Sequence, residues 1–178
     1  MNYLDCISEN YPTVLVECFD DGFNYETLNW VGGDPLPSKV DLDAIIFKRI
    51  VNDKLAELSA NCQSDIMAGF ISNALGYPCM YGSTEVDQLN LIGAVSATAP
   101  TPTAPSGYSN VYAVRPIIDG IVQPKTYIVH SYGQFRQVLA DGSAYKSTKL
   151  LAFNTKRTYL SSLTTAEDVN AVTWLSTP

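Results

Sequence analysis

The chain has one histidine in 178 residues, four cysteines, and only four basic residues in its first hundred positions. Each scarcity argues against a class of chemistry. His130 stands alone, with no cysteine or acidic residue at ligand spacing beside it, so the pattern contains neither a zinc site nor an oriented histidine base. Cys6, Cys18, Cys62 and Cys79 form no C-x-x-C pair, and free thiols in a reducing cytosol are expected rather than a disulfide frame. No apolar run approaches the roughly 20 residues that span a bilayer, so no membrane insertion is expected. The opening Met1-Asn2-Tyr3-Leu4-Asp5 also lacks the basic and apolar regions of a secretory signal. Without a G-x-x-x-x-G-K-[ST] loop or a G-x-S-x-G elbow, no cofactor and no activated serine are expected.

What charge there is lies unevenly. Residues 1–100 hold 14 acids and 4 bases, whereas residues 101–178 hold 4 acids and 7 bases, for a net charge of −7. A net-acidic surface repels a phosphate backbone, so nucleic acid is not among the expected partners. Asp20-Asp21-Gly22 resembles the start of a calcium loop, but the later oxygen ligands are missing, and the segment reads as a turn. Asp41 and Asp43 lie two apart on a predicted helix and do not face each other, so they read as solvated helix-start charges.

The pattern predicts an α+β protein, mostly helical, with a long central amphipathic helix and two β-hairpins. The first hairpin joins Tyr11–Phe19 to Phe23–Val31 around Asp21-Gly22, and the second joins Val111–Ile118 to Ile121–Val129 around Asp119-Gly120. Pro116 and Pro124 confine the second hairpin to edge or irregular pairing. Ser38 is placed to cap a helix in which Leu42, Ile46 and Ile50, then Val51, Leu55, Leu58, Cys62, Ile66, Phe70 and Ala74, recur at spacings of three and four. Such a helix runs from about 39 to 75, on the order of 55 Å, or splits into two near Asn61. Gly76 suits its C-terminal stop. A short helix starts at Glu85, and a proline-rich stretch at 98–107 reads as a linker or exposed loop.

Three helices are expected to follow, near 131–140, 143–162 and 165–172, with a capping box from Thr164 to Glu167 on the last. The chain then divides into an N-terminal hairpin region at 1–37, a helical region at 38–97, the linker at 98–110, and a hairpin with helices at 111–178. His130 falls at a strand-to-helix junction and reads as a structural residue. A small hydrolase built on it, with Asp119 and some serine, is the weakest of the functional readings.

Tyr77, Tyr81, Tyr108, Tyr112, Tyr127 and Tyr132 gather around the second hairpin, where aromatics suit either core packing or protein contacts. The expected partner interface combines Leu55, Leu58 and Ile66, as a helix seam joining copies of the chain, with Tyr108, Tyr112 and Tyr127 as a docking surface.

Several ordered segments carry a resemblance. They are Ile66-Met67-Ala68-Gly69-Phe70, Ala74-Leu75-Gly76, Tyr81-Gly82-Ser83, Asp87-Gln88-Leu89-Asn90-Leu91, the His130 to Gln134 helix entry, Asp141-Gly142, and the Thr165 to Trp174 ending. Together they resemble an uncharacterised domain family of tail-fibre and baseplate proteins of tailed bacteriophages. The proline-rich stretch is longer than that family suggests, and the chain has no fibre shaft. The resemblance implies a non-enzymatic structural component of the phage tail, located in the virion and bound to other tail or baseplate proteins. It also implies a homo-oligomer, with a trimer favoured by a threefold fibre. The alternative is a tail-fibre assembly chaperone that is not retained in the virion.

Overall fold

The computed structural model describes residues 2–18, 22–101 and 109–175. In chain order the elements are α1 (Tyr3–Asn10), β1 (Val14–Cys18), β2 (Leu28–Gly33), α2 (Lys39–Ala68), β3 (Phe70–Ser72), β4 (Cys79–Tyr81), α3 (Glu85–Thr98), β5 (Asn110–Ile118), β6 (Ile121–Val122), β7 (Thr126–His130), α4 (Tyr132–Leu160) and α5 (Ala166–Ala171). The α+β class is as expected. The compact units are not the four consecutive segments read from the sequence. One unit comprises residues 1–58 and 157–178, the other residues 59–156, and α2 and α4 contribute residues to both.

The first unit opens on a helix that the sequence reading did not anticipate. The Asn2 side chain accepts the Asp5 amide at 2.7 Å and caps α1, which buries Cys6 and Ile7. β1 and β2 pair antiparallel from Val14 opposite Gly33 to Cys18 opposite Leu28, so the expected first hairpin forms. Its connection is longer than a tight Asp-Gly turn, because residues 25–27 make a 3-10 turn before β2 begins. Phe19, Asp20 and Asp21 lie outside the described residues. Val14 and Leu42 complete the core with the two α1 residues, and Tyr3, Tyr25 and Leu28 pack against them. Ser38 caps α2 as expected, its hydroxyl accepting the Asp41 amide at 3.2 Å. At the other terminus the cap of α5 is Thr165, taking the Asp168 amide at 3.1 Å, one residue beyond the expected Thr164 to Glu167 box. Trp174 is only half-buried, while Val169 and Val172 are buried.

The second unit holds an antiparallel sheet in the order β3-β4-β5-β6, with β7 also on β5. α2 runs unbroken past Asn61 but stops at Ala68 rather than near 75. Gly69 follows at φ +108, and a Cβ there would meet the Tyr81 carbonyl oxygen at 2.4 Å, so glycine lets the chain turn directly into β3 beside β4. The hairpin β3–β4 is therefore a third one, hidden where the helical periodicity was read onward to Phe70 and Ala74. The second expected hairpin is present. Asp119 and Gly120 both have positive φ, as a two-residue turn of this hand requires, and Ile118 pairs with Ile121. Pro116 and Pro124 act as predicted for irregular pairing: the partner of β5 is split into β6 and β7, and the register shifts by one residue between them. β5 is nonetheless a central strand, since β4 pairs with its residues 115–116.

The expected break at Asp141-Gly142 does not occur. α4 is one helix of 29 residues, and Gly142 serves packing instead, because a Cβ there would lie 2.7 Å from the ring tip of Phe70. The core of this unit is Phe70, Cys79, Tyr81, Leu91, Ala94, Val114, Phe135 and Val138. α4 is also tied to the last turns of α2: Lys149 pairs with Asp65 at 2.7 Å, and the Tyr145 hydroxyl donates to the Asp65 carbonyl at 3.2 Å.

Candidate functional site

His130, the residue that any histidine chemistry would need, is fully buried at the end of β7. Its Nδ1 lies 2.8 Å from the Ile128 carbonyl, which can only accept, so Nδ1 carries the proton and Nε2 accepts from the Tyr81 hydroxyl, also at 2.8 Å. Phe135 stacks on the imidazole at 5.0 Å between centroids, and Tyr81 and Tyr112 meet it edge-on. Burial holds the imidazole below its ordinary pKa and pushes the Tyr81 phenol up. Both ring nitrogens are engaged by structural partners, so the ring is held as a neutral core group rather than as the base of a triad.

A broad groove of about 710 Å³ lies between β3 and α4. Within it the Ser72 hydroxyl donates to Asp141 at 2.5 Å and accepts the Ala74 amide, while Gln137 donates to the second Asp141 oxygen at 2.7 Å. This serine faces a carboxylate and not an imidazole. The cluster ties the β3–β4 hairpin to α4, which is a structural use of the same groups.

The exposed surface of the β5–β7 pair differs in kind. Val111 lies directly opposite Val129 and Ala113 opposite Tyr127, and these four side chains share the outer face of the two strands. Val111 and Val129 are each 56 % exposed and Tyr127 is 70 % exposed. A groove of about 330 Å³ runs beside this face, with Asn90, Gly93 and Ala97 of α3 on one side and Val111, Ala113 and Tyr127 on the other. It adjoins a hollow of about 160 Å³ that contains Arg115, and Lys125 and Asp87 line both. α3 adds exposed Val86, Leu89 and Ile92 at a spacing of three, a helix stripe the sequence reading did not single out.

The six residues expected at a partner interface separate accordingly. Tyr127 is on the exposed face. Tyr112 lines the groove but turns its ring into the core, where its hydroxyl donates to the Asp87 carbonyl at 2.9 Å and burial pushes its pKa up to about 12. Leu58 and Ile66 are 0 % and 3 % exposed and Leu55 is half-buried, so two of the three seam residues have no surface left for another copy of the chain. Tyr108 lies outside the described residues.

No family model, no curated protein and no solved structure matches the chain. The site must therefore be read from its own chemistry. Among the described residues no group of three or more histidine, cysteine or acidic side chains is placed to hold a metal ion, and no helix is long and apolar enough to cross a membrane. No disulfide joins the four cysteines, and burial raises the thiol pKa of Cys6, Cys62 and Cys79. A raised pKa makes a thiol less reactive.

Proposed function

We propose that the chain is a structural component of a bacteriophage tail, at the baseplate or proximal tail fibre, and that it works by protein–protein binding rather than by catalysis. The observation that carries the binding role is the outer face of β5 and β7, where two cross-strand pairs present valine and tyrosine side chains to solvent. An apolar face of this kind, rimmed by Arg115 and Lys125, is what a docking surface on a neighbouring protein requires. The tail setting draws its support from the ordered segments between Ile66 and Trp174 that resemble tail-fibre and baseplate proteins. Self-association into a trimer belongs to the same proposal, with the seam moved off Leu58 and Ile66 to the exposed apolar residues.

Mass spectrometry of purified virions tests the setting. The chain should be found at a fixed ratio to the other tail proteins, and replacing Tyr127 with Asp should reduce its incorporation while leaving the isolated protein folded. Virions that assemble normally but lack the chain would reject the component reading in favour of an assembly chaperone.

A further inference from the structure

Two backbone bonds fix which way β5 turns its polar groups. The Ile117 amide donates to the Pro78 carbonyl on the β4 side at 2.9 Å, and the Pro116 carbonyl accepts from the Gln123 amide on the other side at 2.8 Å. Backbone groups of a strand alternate in direction, so Val111, Ala113 and Arg115 turn theirs toward the β4 side. β4, however, reaches only Pro116 and Arg115. Beside Val111 and Ala113 no strand among the described residues occupies that edge, and the Val111 amide is met by the side chain of its neighbour Asn110 at 2.8 Å. An edge left open in this way is a template for another strand.

The 330 Å³ groove runs along this edge, with α3 as its far wall. Gly93 stands in the middle of α3, where glycine weakens a helix relative to alanine. A Cβ at that position would meet nothing within 4 Å among the described residues, so packing among them gives no reason for the glycine. Its bare Cα instead widens the groove. At the Ala113 end, Lys125 and Arg115 make no ion pair with any described residue, although the chain carries a net charge of −7. Asp87, the acid that lines the groove with Lys125, is engaged by the Thr84 amide at 3.1 Å and the Thr84 hydroxyl at 2.6 Å.

We propose that this groove receives an extended segment of a neighbouring protein, which adds to β5 as an antiparallel strand at Val111 and Ala113 and sets acidic residues at its N-terminal end against Lys125 and Arg115. Strand addition supplies main-chain hydrogen bonds, and the paired cations select for acidic side chains over basic ones. The inference rests on the reading of the β5–β7 face as a docking surface, and it names the chemistry of the partner. A second copy of the chain is the rival occupant, because residues 1–58 and 157–178 carry thirteen acids against five bases.

The test uses the full chain and fluorescence anisotropy of a labelled peptide, Glu-Glu-Thr-Val-Thr-Val-Thr-Val-Thr. A second peptide carries two lysines in place of the glutamates, and a third is N-methylated at alternate residues. The glutamate peptide should bind with a dissociation constant of about 100 μM or tighter, and the other two at least about tenfold more weakly. Lys125→Glu should reverse the preference between glutamate and lysine peptides. Gly93→Leu, which fills the groove from the α3 side, should weaken the glutamate peptide by at least about tenfold while the melting temperature holds or rises. No binding to the wild-type chain, or binding that ignores N-methylation or Lys125→Glu, overturns the proposal. So does sedimentation showing that the free chain self-associates through an interface that Gly93→Leu disrupts, since that assigns the edge to a second copy. Peptide binding by a chain missing from virions would retain the groove and remove the tail setting; a virion protein that ignores the peptide would do the reverse.

Discussion

On the inner face of β5 and β7, Tyr112, Val114, Ile128 and His130 pack against Phe135 and Val138 of α4; on the outer face of the same strands, Val111, Ala113, Tyr127 and Val129 meet no such layer among the described residues. The two faces are built from nearly the same residue types. What separates them is how their polar atoms are satisfied. Inside, each ring heteroatom has a named partner: Tyr81 for His130, Ile128 for the other imidazole nitrogen, and Asp87 for Tyr112. Outside, the side chains are held in place by the strands but no other described element covers them. The inner face is thus expected to govern stability and the outer face association, a division that substitutions can test.

The largest effect should come from the centre of the inner face. Phe135→Ala removes a fully buried ring that stacks on His130 and meets Tyr112 edge-on, and urea denaturation should register a loss of about 3–5 kcal/mol. A loss below about 1 kcal/mol would mean that the inner face is not the load the core rests on. Next in size is Tyr81→Phe, which strips the donor from a buried imidazole nitrogen and should cost about 1–3 kcal/mol.

His130 adds a pH dependence to the same face. Its folded pKa lies below the ordinary histidine value, so the unfolded chain takes up the proton first as pH falls. Its contribution to stability is therefore complete above about pH 6.5 and is lost progressively as pH drops through and below that value. An NMR titration in which His130 protonates at or above the ordinary value would refute this. The smallest effect belongs to the outer face. Val111→Thr combined with Val129→Thr should move stability by no more than about 0.5 kcal/mol while weakening partner binding, and a cooperative loss of several times that size would show that the chain itself covers the face.

Local signals were legible wherever they depended on near neighbours in sequence. The Ser38 cap, the Asp119-Gly120 turn, the start of α3 at Glu85 and the junction position of His130 all follow from a few adjacent residues. Signals that depended on distant partners were misread. Gly142 looked like a helix break because glycine is a poor helix former, but the Phe70 ring against it makes any larger residue the worse choice. Phe70 and Ala74 fitted the periodicity of α2, yet Gly69 diverts the chain into β3, where pairing with β4 replaces the lost helical bonds. The third hairpin had no tight-turn dipeptide to announce it. Nor did spacing along the chain distinguish Tyr112 from Tyr127.

The sequence by itself determined the class of the protein: the alternation and turn residues of the β5 hairpin, the long helical periodicity, the scarcity of histidine and the acidic bias of the first hundred residues are properties of the chain before it folds. Only the tertiary structure decided which of these residues face a partner. Leu58 and Ile66, expected at an interface, are buried, and Tyr127 is left outside by a strand pleat that sends neighbouring side chains to opposite faces. Period and propensity are local quantities. Burial depends on which surfaces meet, and the open edge at Val111 and Ala113 exists because β4 ends after three residues.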